Sequence, residues 1–500
     1  MTNPDLDTLR ERLGEVADIH SALSLLQWDQ EVYMPPKGAT ARGMQLATLS
    51  ALHHRLFTSP EMGDLLKRLS DQADTLESDD AKLVSETLYD YEHATKLPEA
   101  FVHENAREQS KAFEAWHKAR KESNFGMFQP NLAKLVELQR QKAEYLGYEE
   151  SPYDALIEEF ERGMTAKQLK AIFGELATKQ SALVSRIMES SKQPDVDWVF
   201  QDWDEDRQYA FTFNVLKDMG YDFEAGRQDK SVHPFTLSLD RDDVRVTTRV
   251  AKDELFSALT GSVHEGGHAL YEQGYQEKDQ RTPLADGISL GVHESQSRMW
   301  ENMIGRSLPF WKHYTPLLKK TFPGQLDNVT AEMIYGAINK VEPSFIRVEA
   351  DECTYNLHII LRFEIELALI EGSMEVGDVP AAWNEKMKQY LGLDVPNDAQ
   401  GCLQDIHWSH GTMGYFPTYA LGNLYAAQMF ERIEQDIPDL WAQVSEGNFC
   451  ALLGWLREHV HRFGRRKLAR ELIEDISGRA LENGPYLAYL ERKYGALYGI

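Results

Sequence analysis

Apolar residues recur about every 3.6 positions along almost all of this chain, a period that commits the backbone to amphipathic helices. The pattern is plain from the N-terminus to Gln27 and again from about Ala81 to Lys121. The expected fold is mainly α. One segment breaks the period: in "FTLSLDRDDVRVTTRV", Phe235 to Val250, apolar and polar residues alternate on either side of the turn-like stretch Asp240 to Asp243, as in a β-hairpin. Proline, glycine and aspartate gather at "MPPKGAT", "SSKQPDVDW", "YDFEAGRQDKSVHPF" and "EKDQRTPLADG", which marks connections. No repeat, low-complexity tract or flexible joint divides the sequence, so residues 1–500 are expected to form one large body with lobes, too big for a single core of ordinary size.

Composition excludes several classes. With 53 lysines and arginines against 80 acids, the formal net charge is -27, so a polyanion is repelled and nucleic acid is not an expected partner. The opening "MTNPDLDTLRERLGEVADIH" is polar and amphipathic, unlike a secretory signal, and a cytoplasmic location is expected. The most apolar later stretch, "LHIILRFEIELALIEG", carries Arg362, Glu364 and Glu366, which are expensive in hydrocarbon. It reads as a core helix and not as a membrane span. Cys353, Cys402 and Cys450 show no CxxC spacing and read as reduced, buried thiols.

Just after the hairpin comes "GSVHEGGHALYEQG", Gly261 to Gly274. Two adjacent glycines inside a helix lose roughly 0.5 to 1 kcal/mol each relative to alanine. On a helical wheel Gly266 and Gly267 fall on or beside the stripe formed by Phe256, Leu259, Val263 and Leu270. They therefore let a neighbouring backbone come close. His264 and His268, four positions apart, diverge by only about 40° and lie about 6 Å apart along the axis, so both can grip one ion. Glu265 is turned about 100° from His264, which suits a carboxylate working on water beside a metal. This is the HExxH pattern, spelled HEGGH. A third ligand is needed, and Glu294 in "GVHESQSRMWEN", 26 positions after His268, supplies it, with His293 as the alternative. Glu301, seven positions further on, is placed to accept a hydrogen bond from a ligand imidazole.

Several separated strings carry a family likeness: "WDQEVYMPPKG", "HPF" at His233 to Phe235, "DVRVT" at Asp243 to Thr247, "HEGGH", "HESQ" at His293 to Gln296, "IRVEAD" at Ile346 to Asp351 and "GCLQDIHW" at Gly401 to Trp408. In these strings and their order the chain resembles the thermostable-carboxypeptidase family of HExxH zinc metallocarboxypeptidases. The resemblance implies a helical body whose two lobes flank a long deep groove, a small sheet beside the metal, and a homodimer. It further implies that His264, His268 and Glu294 bind zinc, with cobalt an accepted substitute, and that Glu265 is the general base and acid.

The implied chemistry is removal of single C-terminal residues, with broad specificity, by activated water. It requires a donor for the tetrahedral oxyanion, for which His407 comes first, then Tyr419 and Tyr415. The free carboxylate of a peptide end is best held by an arginine fork, and Arg347 and Arg245 lie inside the matching strings. Either could instead pair with Asp351 or Asp243. His233 is expected to face the groove or to cap a turn before Pro234. The rival activities are a dipeptidyl carboxypeptidase or oligopeptidase in a similar groove, and a helical scaffold braced by a structural metal.

Overall fold

The computed structural model describes residues 3–500. Helices dominate it, and their ends follow the local chemistry. The first, Pro4–Val32, begins with proline at a position where no N–H is needed, and the Asn3 side chain accepts from the Asp5 N–H. The periodicity expected to run from Ala81 to Lys121 is carried by two helices, Ser78–Lys96 and Glu99–Glu122. They part at Pro98, which has no N–H to continue the first and takes the N-cap place of the second.

The expected hairpin is present, and a third strand not foreseen joins it. With β1 at Gly226–Lys230, β2 at Thr236–Asp240 and β3 at Asp243–Thr248, the sheet order is β1-β3-β2. β2 and β3 are antiparallel, whereas β1 lies parallel to β3 with Gly226 opposite Val244. β1 falls in a segment read above as a connection. Its sequence, GRQDK, has no apolar alternation; it is held through buried polar groups, with Gln228 donating to Ser262 Oγ at 2.7 Å.

The most apolar stretch forms the helix Glu352–Glu371, buried almost throughout, including Arg362 and Glu366. Among the described residues no helix is long and apolar enough to cross a membrane. A main hydrophobic core is joined by a smaller one, where Leu6, Leu9 and Leu13 meet Leu65, Leu66, Leu69, Leu83 and Val84. Cys353 and Cys402 are buried as expected, but Cys450 is exposed because it opens the surface helix Cys450–His459. Two adjoining concavities of about 370 and 610 Å³ have Asp90, Asp286 and Arg465 in both linings. The first helix and β2 line the larger concavity, and Phe160, Leu290 and His293 line the smaller.

Candidate metal centre

The helix Ser257–Glu272 carries HEGGH. Its first turn is fixed by Glu254, whose carboxylate accepts from the N–H groups of Phe256 and Ser257 at 2.7 and 2.6 Å, where the helix dipole favours negative charge. The glycines have separate tasks. A Cβ on Gly267 would lie 2.7 Å from the Gln296 carbonyl oxygen and from Ser297 Cα, so this glycine lets a second helix, Leu290–Arg298, lie against the first. A Cβ on Gly266 would instead meet the Leu216 side chain at 2.5 Å.

That second helix delivers Glu294. Ser289 Oγ accepts from the Val292 N–H, and buried Glu161 accepts from the Gly291 N–H at 3.1 Å. Across from it, the helix Pro417–Asp436 presents Gly422, where a Cβ would fall 2.6 Å from Glu294 Cγ. The carboxylate is thereby directed at the histidines: Glu294 Oε2 is 3.6 Å from His264 Nε2 and 3.4 Å from His268 Nε2. One donor atom from each of His264, His268 and Glu294 lies within 4.8 Å of the others. His293 is not in this group; its ring turns to the far side of His268.

Behind the trio stands a charged framework. After Arg298 the helix widens into a π-helical segment, Met299–Gly305, which brings Glu301 Oε2 to 2.9 Å from His264 Nδ1. Glu301 Oε1 accepts from Arg306 at 2.7 Å, and Glu294 Oε1 accepts from Arg298 Nε at 2.6 Å. Burial penalises both carboxylates, yet Arg298 beside Glu294 and Arg306 beside Glu301 hold them well below the usual carboxylate range. The π segment changes backbone pairing, and the Asn302 carbonyl takes donors from Tyr489 (3.0 Å) and Lys493 (3.1 Å) on the helix Gly484–Tyr498.

Glu265 is buried, its Oε2 accepting from Thr236 Oγ1 of β2 at 2.7 Å, and burial raises its pKa. His407, Tyr415 and Tyr419 form one aromatic cluster, with ring centroids 5.4 Å apart for His407 and Tyr415 and 5.3 Å for the two tyrosines. Both tyrosines feel the charge of Glu294, and burial raises both hydroxyls above their usual range. Burial also draws His407 down to about 4, against the pull of Asp405, and its Nδ1 has no hydrogen-bond partner among the described residues.

Arg347, 6 % exposed, uses Nε and Nη2 on Asp405 (3.1 and 2.8 Å) and Nη1 on the Tyr355 hydroxyl (2.9 Å). Its partner is thus Asp405; Asp351 instead caps the helix Glu352–Glu371. Arg298 lies over the Tyr355 ring at 4.4 Å, so one continuous chain of contacts joins Glu294 to Arg347 and Asp405. Arg245 is forked on Asp243 at 2.8 Å through both bonds and lies over Trp28. His233 is exposed, and its carbonyl accepts from Ser231. Sequence reasoning missed Thr236 and Glu272, whose partners are 29 and 21 residues away, and also Arg298 and Arg306, although Arg298 meets Glu294 at the helical spacing of four and Arg306 meets Glu301 five positions back.

Two imidazoles and a carboxylate, each with a partner behind it, make a donor set that could hold a divalent ion. The profile of the carboxypeptidase Taq (M32) metallopeptidase family matches residues 8–494. The chain belongs to this family. It is 42% identical over 503 residues to thermostable carboxypeptidase 1 of Thermus thermophilus, covering 98% of each chain. It is 40% identical to carboxypeptidase 1 of Bacillus subtilis, covering 97% of each. The M32 carboxypeptidase of Deinococcus radiodurans superposes over 100% of both chains with a TM-score of 0.98 at 42% identity. This M32 protein is therefore a metallocarboxypeptidase, a hydrolase of peptides, and its mostly helical fold is that of the family.

Proposed function

We propose that the chain removes single C-terminal residues from peptides with broad specificity, using zinc held by His264, His268 and Glu294, with cobalt able to replace it. The carrying observation is the convergence of those three side chains within 4.8 Å, with the Glu265 carboxyl held next to them by Thr236. When bound there, a divalent ion supplies Lewis-acid polarisation of a peptide carbonyl and acidifies water. Glu265 takes a proton from the attacking water and hands it to the leaving amine, a task helped by a pKa that burial has raised. His407, neutral at pH 7, and the protonated hydroxyls of Tyr419 and Tyr415 are the donors offered to the oxyanion.

The guanidinium groups select free chain ends. Of five N–H donors on each arginine, Arg347 spends three and Arg245 two on their fixed partners, which leaves the remainder for a terminal carboxylate. His233 is an exposed contact for the same substrate. A cytoplasmic location and a homodimer belong to the same proposal, both on the family likeness.

The test is hydrolysis of N-blocked dipeptides and tripeptides as free acids and as C-terminal amides, with and without a chelator. Release of one residue from the acids, none from the amides, and loss of activity with chelator are expected. Cleavage of the amides, or release of dipeptides from longer peptides, would replace this reading with an endopeptidase or a dipeptidyl carboxypeptidase.

A further inference from the structure

The two histidines are braced differently. His264 Nδ1 meets a carboxylate directly, Glu301 at 2.9 Å. His268 does not: its Nδ1 lies 2.6 Å from Nδ1 of His293, and His293 Nε2 lies 2.7 Å from Glu272 Oε1. The His268 and His293 ring planes are inclined by 29° with centroids 4.5 Å apart. Glu272 is one helical turn beyond His268, and His293 comes in from the following helix to bridge the turn. Gly287 makes room for it, since a Cβ there would approach His293 Cδ2 to 3.3 Å.

We propose that Glu272 and His293 are positioning residues for the metal, acting on His268 as a carboxylate–imidazole–imidazole relay. Two ring nitrogens 2.6 Å apart share a hydrogen bond only if one carries the proton and the other a lone pair. Nε2 of His268 faces Glu294 and His264. A lone pair at His268 Nε2 for an ion leaves the His268 hydrogen on Nδ1, so His293 Nδ1, 2.6 Å away, is the acceptor. At the other edge of that ring, Glu272 Oε1 is the acceptor for a hydrogen on His293 Nε2. Glu272 thus supports two tautomers in series and fixes the ring that must hold the ion. The contact also assigns His293, offered by the sequence as an alternative ligand, to the support of a ligand instead.

This inference rests on His264, His268 and Glu294 being the metal site, and the experiment separates the two. Zinc affinity is measured by competition with a chromophoric chelator, and the cobalt form by its visible absorption, for the wild type, Glu294→Ala, Glu272→Gln, His293→Gln, His293→Phe and the Glu272→Gln/His293→Phe double variant. Tight one-to-one binding by the wild type, lost in Glu294→Ala, establishes the site; failure of that arm overturns the metal reading itself.

Given the site, Glu272→Gln is expected to weaken zinc roughly 10- to 100-fold and to alter the cobalt bands. His293→Phe is expected to lose as much or more. His293→Gln, whose amide can accept from His268 and donate to Glu272, recovers most of the loss. In the double variant the carboxylate has nothing to act through, so its change adds nothing further. Wild-type zinc affinity in Glu272→Gln, or additive losses in the double variant, overturns the relay. Should His293→Phe fail to fold, Glu272→Gln and His293→Gln decide the matter alone.

Discussion

Gly266 and Gly267 are adjacent in one helix, yet alanine is expected to be nearly neutral at one and destabilising at the other. Either substitution gains roughly 0.5 to 1 kcal/mol of helix propensity. At Gly267 the new methyl would stand 2.7 Å from main-chain atoms of Gln296 and Ser297, where ordinary contact begins at 3.4 Å. Backbone cannot swing aside as a side chain does, so the two helices must separate by about 0.7 Å. Overpacking of this kind costs about 1 to 3 kcal/mol; at mid-range values, about 2 against a gain of about 0.75, Gly267→Ala is less stable by about 1 kcal/mol. The displaced helix carries Glu294, and a shift approaching 1 Å at a reacting centre lowers kcat/KM by up to about 100-fold. At Gly266 the methyl meets the end of the Leu216 side chain, which can change rotamer, so Gly266→Ala is expected within about 0.5 kcal/mol of the wild type. Urea denaturation, zinc affinity and kcat/KM on an N-blocked dipeptide check both. A Gly267→Ala protein as stable and active as the wild type would refute the argument from backbone contact.

Glu265→Gln should bind zinc as the wild type does, since Glu265 lies outside the ligand trio, while kcat/KM falls by about 10²- to 10⁴-fold; turnover near the wild-type level would remove it from the mechanism. For Arg347→Ala, Arg362 remains to pair with Asp405, so the fold and zinc content should persist while KM for free-acid peptides rises; an unchanged KM would make Arg347 a structural ion-pair partner. Burial pushes the Glu161 carboxyl from 4.5 up to about 7. The folded chain therefore holds a proton there that the unfolded chain releases, and this group's contribution is complete below pH 4.5 and lost as pH rises to about 7. Chemical denaturation between pH 4 and 8 should show a decline about 3 kcal/mol shallower in Glu161→Gln than in the wild type; parallel curves would contradict this. Adding zinc to chelator-treated protein at 100 times its Kd should raise stability by about 2.7 kcal/mol, measured as a shift in Tm, and no shift would argue against ion binding by the folded state.

What could be read from the sequence was what depends on short spacing. His264 and His268 face one way because four residues nearly complete a helical turn, and Arg245 meets Asp243 two positions away along one strand. The hairpin announced itself by alternation, but β1 did not, because its buried residues Gln228 and Asp229 are polar and are held by hydrogen bonds and by Arg227. The π segment under Glu301 leaves no mark in an apolar period of 3.6. Pairings over long loops were equally hidden: Arg347 finds Asp405, 58 residues away, and His293 lies 21 from Glu272 and 25 from His268. Each is decided by which helices pack together, and pattern within one helix carries no such information.

The Asn302 carbonyl receives its two donors from residues 187 and 191 positions further along the chain. A ribosome therefore finishes the His264, His268 and Glu294 trio well before it makes the side chains that steady the backbone beneath Glu301. The backbone beneath Glu301 is thus steadied only once the helix Gly484–Tyr498 has been made and has docked.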